Sequence, residues 1–358
     1  MKVAVAGAQV VVDLATVAGN TRTLAARTRG ELMAVVKADG FGHGAAGVAR
    51  AALGAGATWL GVTGLGEALG LRAAGLTAPI LSWLNPLGAD FGLAVRHQVD
   101  LAVPSVAHLA AMPPGARVHL QLDTGMARDG AAPAEWAALF RSAREAEQCG
   151  RVTVTGLMSH LAGPGTAVAT QRFRDAITAA FTAGLRPRLC HLAATAATLT
   201  RPETHFDLVR AGAGLVGIDP SGGRALRGAM TLTAPVVEVR RVAAGTPVGY
   251  DHTWRAARDT HLALLPVGYA DGLPRGAGPR AEVLLGGRRC RVAGRISMDQ
   301  TVVETGPEVR PGDSATVFGP GDDGEPSVAD WAAWAGTLPH EIVTGLGARP
   351  HRHVIGGY

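Results

Sequence analysis

Between residue 32 and about residue 220 the chain repeats one pattern. A short apolar run is followed by a turn and then by an Ala-rich stretch with helix-like spacing. The runs are LMAVVKA, TWLGVT, PILSWL, VDLAVP, RVHLQLD, VTVTGLMSHL, RLCHLA and FDLVRAGAGLVG. Strands this continuously apolar belong to parallel sheets covered on both faces. Eight of them, each with a following helix, predict a (β/α)8 barrel. Open doubly wound sheets usually carry fewer such units. After about residue 228 the period changes to alternation. TLTAPVVEVRRV, HLALLPVGYADG, AEVLLGGRRCRVAGRISMDQTVVE and DSATVFG are separated by Gly and Pro turns, which predicts a mostly β second domain. SVADWAAWAG then predicts a short helix with Ser327 as its N-cap. The expected division is residues 1–227 for the barrel domain and 228–358 for the β domain. VVVDL reads as the first strand of the fold, with residues 8–13 expected to pair with the second domain.

Composition narrows the class. Apolar residues make up 47% of the 358, enough for a large core, and formal net charge is +5. A basic chain invites a nucleic-acid reading, but there is no block of five or six like charges and no nucleic-acid motif, so none is expected. No run of about 18 apolar residues suggests a membrane span. The first residues superficially resemble a signal peptide, but the apolar run is short and Asp13 interrupts the next apolar stretch. Cys149, Cys190 and Cys290 are odd in number and widely spaced. They form no disulfide framework and no metal motif, which fits a reducing, cytoplasmic setting.

The charge inventory raises a chemical question. Of 34 basic residues only Lys2 and Lys37 are lysines. Arginine keeps its proton in proteins, whereas lysine gives it up when its site lowers its pKa. Lys37 ends the first expected barrel strand, and in such barrels the C-terminal strand ends face the active site. A lysine there lies against apolar walls that disfavour its charged form. That suits a nucleophilic amine or a Schiff base. Tyrosine is also scarce, limited to Tyr250, Tyr269 and Tyr358. A phenol and a lysine amine have similar unperturbed pKa values near 10, so the two can share proton transfer where a site lowers both.

VVKADGFGHG (35–44) closely resembles the cofactor motif of alanine racemases, which use pyridoxal 5′-phosphate (PLP). The resemblance continues through LDTGMARDG (122–130), MSHLAG (158–163), CHLAATAATL (190–199), LVRAGAGLVGIDPS (208–221), VGYDHTWRA (248–256), LPVGYADGLPR (265–275) and GRISMDQTVV (294–303). It implies a PLP-binding barrel followed by a β domain, and racemisation of alanine or a similar small amino acid. It implies that Lys37 holds PLP covalently and serves the D-enantiomer, while Tyr250 serves the L-enantiomer. By the same resemblance Arg210 faces the pyridine nitrogen, His191 stands behind that arginine, and His160 packs on the ring. Arg128 is directed at the substrate carboxylate, and Tyr269, Met298 and Asp299 lie at the substrate end. A phosphate is expected after strands seven and eight, where Thr195 offers a hydroxyl and Gly212 and Ala213 offer amides. The resemblance also implies a homodimer in which Tyr250 of one subunit reaches Lys37 of the other.

Several positions depart from the family pattern. Phe41 replaces a tyrosine whose hydroxyl often contacts the phosphate. Gln121 stands where many members carry a carbamylated lysine that braces the arginine matching Arg128. Asp251 follows Tyr250 where glycine is common, Ala194-Thr195 replaces Asn-Ser, and Ser297 replaces a frequent cysteine. TGLGARPHRH lacks a tyrosine that some members place near the site. Three other readings stay open: racemisation of another amino acid, a fold-related PLP decarboxylase or aldolase, and a PLP-binding protein without turnover.

Overall fold

The computed structural model describes residues 7–163, 166–223 and 225–357; Lys2 and Tyr358 lie outside them. The chain opens with β1 (Gln9–Asp13) and the helix Leu14–Ala25, whose first amides at Ala15 and Thr16 are capped by Asp13 Oδ1. The barrel strands follow as β2 (Glu31–Val35), β3 (Trp59–Val62), β4 (Ile80–Ser82), β5 (Val99–Val103), β6 (Ala116–Gln121), β7 (Val152–Met158), β8 (Leu189–His191) and β9 (Leu208–Ala211). Each of the eight apolar runs coincides with one of them. Neighbours pair in parallel from β2 through β8, and β9 pairs with β2. A parallel bridge between Ala194 and Arg210 joins the β8 and β9 sides and closes the ring. Strands β3, β4 and β5 are buried at every position, which is why they read as largely apolar runs, with Ser82 and Asp100 the polar exceptions.

The second domain contains β10 (Met230–Pro235), β11 (Glu238–Val242), β12 (Pro247–Val248), β13 (Trp254–Arg255), β14 (Thr260–Leu265), β15 (Glu282–Leu285), β16 (Arg288–Arg291), β17 (Thr301–Thr305), β18 (Ser314–Phe318) and β19 (His351–Ile355). Six strands form a sheet in the order β16-β15-β18-β10-β1-β19, and β11, β14 and β17 form a smaller one. β1 is antiparallel to β10 and parallel to β19. The N-terminal strand therefore belongs to the sheet of the second domain, although the helix it feeds packs on the barrel side. The helix Val328–Ala335 is capped by Ser327, whose Oγ accepts the Asp330 amide, and it ends at Gly336 in the left-handed conformation.

A buried asparagine ties the two regions together. Asn20 Nδ2 donates to Leu215 O (3.1 Å) and Arg227 O (2.8 Å), and its Oδ1 accepts the Arg227 amide (2.9 Å). It thereby fastens the first helix to the turn after β9 and to the chain entering β10. Truncation would strand these backbone groups, at about 1–3 kcal/mol for each left buried without a partner. Asn20→Ala is expected to lower stability in chemical unfolding by about 3 kcal/mol. A loss below about 1 kcal/mol would contradict this role.

Candidate active site

Lys37 leaves the C-terminal end of β2, and the backbone beyond it takes an uncommon path. Ala38, Asp39, Gly40 and Phe41 all wind left-handed, from φ 51°, ψ 52° at Ala38 to φ 57°, ψ 42° at Phe41. Each non-glycine residue there costs about 1–2 kcal/mol in steric strain. Such strain persists only where surrounding structure over-determines it. Glu67 Oε1 accepts the Ala38 amide (2.7 Å), while its Oε2 accepts the amides of Thr63 (2.8 Å) and Gly64 (3.3 Å). Asp39 Oδ1 accepts the Ala45 amide (2.8 Å). The helix Pro339–Thr344 lies over the turn, so close that a Cβ on Gly42 would overlap the Val343 carbonyl. Arg352 donates to Gly42 O.

Three cations meet at this mouth. Burial holds the Lys37 amine below its ordinary pKa, and the Arg128 charge lowers it further, against a smaller opposing pull from Glu67. His160 is pushed down to about 3 by burial, with Arg210, Arg128 and Lys37 all acting in the same direction. His160 is therefore a neutral ring, and the site is electropositive unless an anion enters it. Arg210 is buried and almost fully committed. Its Nη1 donates to His191 Nδ1 (2.9 Å) and His191 O (3.0 Å). Its Nη2 meets Ser159 O (2.6 Å), His160 Nδ1 (3.3 Å) and Leu192 O (3.3 Å). Burial lowers the guanidinium to about 10, still cationic at neutral pH.

Beyond β8 and β9 lies a polar cradle. Thr195 Oγ accepts the amides of Gly212 (3.4 Å) and Gly214 (3.2 Å), leaving its own O–H to donate. The Ala213 amide has no hydrogen-bond partner among the described residues. A Cβ on Gly212 would come within 2.7 Å of Phe41 Cζ, so only glycine lets the Phe41 ring pack there. His340 stands on the other side of that ring, with centroids 6.0 Å apart. Its Nδ1 is buried without a partner, and burial and then the Lys37 charge lower its pKa. The Gln121 Oε1 atom is likewise buried and unpartnered, and no hydrogen bond links it to Arg128 among the described residues.

The remaining candidates sit on the second domain. Tyr269 and Ala270 donate their amides to Ser297 O (3.0 Å) and Met298 O (2.9 Å). Arg349 ties the pair together, with its guanidinium on Asp271 (3.3 Å) and Asp299 (2.6 Å). Tyr250 occupies a turn whose next residue, Asp251, has φ 59° and pairs with Arg295. Tyr250 is 65% exposed and Met298 52%. Among the described residues, no hydrogen bond or ion pair joins Tyr250, Tyr269, Met298 or Asp299 to Lys37, Arg128, His160 or Arg210. The candidates thus form two groups within one chain. Glu67, His340 and Arg349 were missing from the sequence-based set. No local motif marks them, because each reaches the site through a long-range approach.

Two family models match the chain. The alanine racemase N-terminal domain covers residues 12–220 and the alanine racemase C-terminal domain covers residues 229–354. An alanine racemase of Frankia casuarinae is 49% identical, over 96% of this chain and 95% of its own length. The alanine racemase of the D-cycloserine-producing Streptomyces lavendulae superposes with a TM-score of 0.95 at 43% identity, covering 98% of each chain. That of Bartonella henselae, solved with covalently bound pyridoxal phosphate, gives 0.88 at 27% identity over 98% of this chain and all of that one.

The lowered pKa of Lys37 has a direct consequence. Its amine is charged below that pKa and free above it, so it should react with an acylating reagent at lower pH than an ordinary lysine. Arg128→Leu removes a repelling charge and should move the midpoint of reactivity upward, read by peptide mass spectrometry on the ligand-free protein. An unmoved midpoint would contradict the electrostatic coupling.

Proposed function

The chain belongs to the alanine racemase family, and from that footing we propose that Lys37 and Tyr250 are its two acid–base groups. The enzyme interconverts L- and D-alanine and uses PLP. Both matching domain models are those of racemases, which separates it from the decarboxylase, aldolase and carrier readings. One observation carries the assignment of Lys37: an amine at a barrel strand end whose pKa is lowered by burial and by a neighbouring guanidinium. That is the direction in which a base working near neutral pH must be shifted.

The residues present fit the cofactor. An amine of lowered pKa, an electropositive mouth, a hydroxyl, an open amide and an orphaned imidazole nitrogen are what an aldehyde and a phosphate would need. When bound, PLP withdraws electrons from the substrate Cα and so acidifies its hydrogen. Thr195 and the open Ala213 amide would hold the phosphate, with Gly212, whose amide goes to Thr195 Oγ, bordering it, and His340 would offer a polar atom where Phe41 has no hydroxyl. Phe41 and His160 would wall the ring. Arg210, backed by His191, would present a donor to the pyridine nitrogen without giving it a proton. Arg128 takes the substrate carboxylate as a guanidinium fork.

Lys37 Nζ removes or returns the α-proton on one face, and the Tyr250 phenol does so on the other. Lys37 serves the D-enantiomer and Tyr250 the L-enantiomer. Tyr250, Tyr269, Met298 and Asp299 are carried by the second domain, and exposure of Tyr250 and Met298 supports their use by a second copy. The enzyme is a homodimer with shared sites, in which Tyr250 of the partner subunit faces Lys37. Residues 1–227 are the cofactor domain and 228–358 the domain that supplies the second base. Its setting is cytoplasmic, with neither nucleic acid nor membrane as partner.

Complementation tests the shared site. Lys37→Ala and Tyr250→Phe should each be nearly inactive. Mixed after subunit exchange, they should recover up to about a quarter of wild-type activity, because half the dimers then hold one intact site. No recovery with proven exchange would place both bases in one chain. Separately, Tyr250→Phe should slow α-proton loss from L-alanine more than from D-alanine, and equal slowing would count against opposite-face bases.

A further inference from the structure

The barrel interior holds a line of polar side chains that the racemase assignment leaves unused. His191 Nε2 lies 2.8 Å from His119 Nδ1, and His119 Nε2 lies 3.3 Å from Asp100 Oδ2. Asp100 also meets Arg117, with Oδ1 3.0 Å from Nε and Oδ2 3.4 Å from Nη2. His191, His119 and Asp100 are at most 1% exposed. The line runs from Arg210 on β9 through β8 and β6 to β5, in a largely apolar core where the buried Trp59 ring lies edge-on to His119 (centroids 5.7 Å apart). Room for it is built into the sheet: a Cβ on Gly156 of β7 would overlap His119 Nδ1. The ladder between β6 and β7 shifts register between Val118 and His119, at the same place.

The two ends dictate the protons between them. Arginine only donates, so His191 must present a lone pair at Nδ1 to Arg210 Nη1. A neutral His191 then carries its hydrogen on Nε2 and donates to His119 Nδ1. His119 in turn must carry its hydrogen on Nε2, where the Asp100 carboxylate, an acceptor only, receives it. Any other arrangement sets two hydrogens against each other at one contact. Burial, then Arg210 and His119, hold His191 well below the ordinary imidazole pKa, consistent with a neutral ring.

We infer that Asp100 and His119 are positioning residues for the reaction: together they lock the tautomer of His191 and so fix how Arg210 is presented to the cofactor. The four Nη hydrogens of Arg210 are taken up by His191, Ser159 and the His160–Leu192 side. Only Nε–H lacks a partner among the described residues, and it remains to meet the ring nitrogen. Were the line reversed, a His191 N–H would face Arg210, and the guanidinium would turn to avoid it. The catalytic part of this inference rests on the racemase reading; the tautomer part does not.

The test uses the PLP-loaded enzyme labelled with 15N-histidine, with resonances assigned through single His→Gln variants. His119 and His191 should each be protonated at Nε2 alone. An Nδ1–H tautomer on either, or a doubly protonated ring, would overturn the lock itself. Asp100→Asn supplies the second arm. Its carbonyl is held by Arg117, so its amide faces His119 and should flip both rings to Nδ1–H. Turnover should then fall about tenfold, as when partners that orient other site groups are removed, with KM little changed. The visible band of the cofactor should shift and transamination per turnover should rise. Asp100→Glu should restore the Nε2 tautomers. Flipped tautomers with unchanged spectrum and partition would sever the line from the reaction while leaving the lock intact. Gly156→Ala, which displaces His119 without touching any charge, should reproduce the Asp100→Asn spectrum; a wild-type spectrum in a variant whose His119 resonance has moved would also overturn the positioning role. If Asp100→Asn does not fold, the wild-type tautomers and Gly156→Ala still decide.

Discussion

Lys37, Arg128 and Arg210 share one barrel mouth, and like charges held together in a partly buried space repel. The repulsion is relieved in two ways. One cation gives up its proton, and of the three only lysine can do so readily. Or an anion enters, and the cofactor phosphate and the substrate carboxylate are both anions. The lowered pKa of Lys37, the neutral His160 and the fit of this mouth for an anionic ligand are therefore aspects of one electrostatic constraint. It also explains why a chain so rich in arginine keeps a lysine at this position.

The backbone around that lysine carries strain that the rest of the fold confines. The left-handed turn at residues 38–41 carries Phe41 back against Gly212 and His340. Glu67 grips the turn from the next barrel unit, and the helix Pro339–Thr344 covers it from the second domain. The site thus depends on packing between parts of the chain some 300 residues apart. Deeper in the barrel the same division of labour recurs, with the Arg210 guanidinium oriented by groups that never approach the substrate.

Much of the fold was legible because its physics is local. Strands buried on both faces give continuous apolar runs, and each of the eight runs coincides with a barrel strand. Ser327 and Gly336 bracket their helix as capping chemistry requires. The strand order of the second domain was not legible, since the pairing of β1 with β19 joins residues some 340 positions apart. Lys37 and Tyr250 stood out through scarcity, and the motifs around them carried most candidate residues. The left-handed turn was invisible because Ala38 and Phe41 disfavour it, while Asp39 and Gly40 tolerate it without requiring it; tertiary contacts impose it. His340 was missed for a related reason. The family pattern points to a tyrosine in the C-terminal segment, and a histidine there becomes informative only once its ring lies beside Phe41.

The most direct measurement is incubation of the purified, PLP-loaded enzyme with L-alanine in deuterated water, following α-deuteration and chirality together. Two bases on opposite faces predict D-alanine carrying deuterium at Cα, because the returning proton comes from a group in exchange with solvent. D-alanine that keeps its original α-hydrogen would mean that one group carries the proton across both faces. L-alanine left without exchange or inversion, despite bound cofactor, would contradict the racemase site altogether.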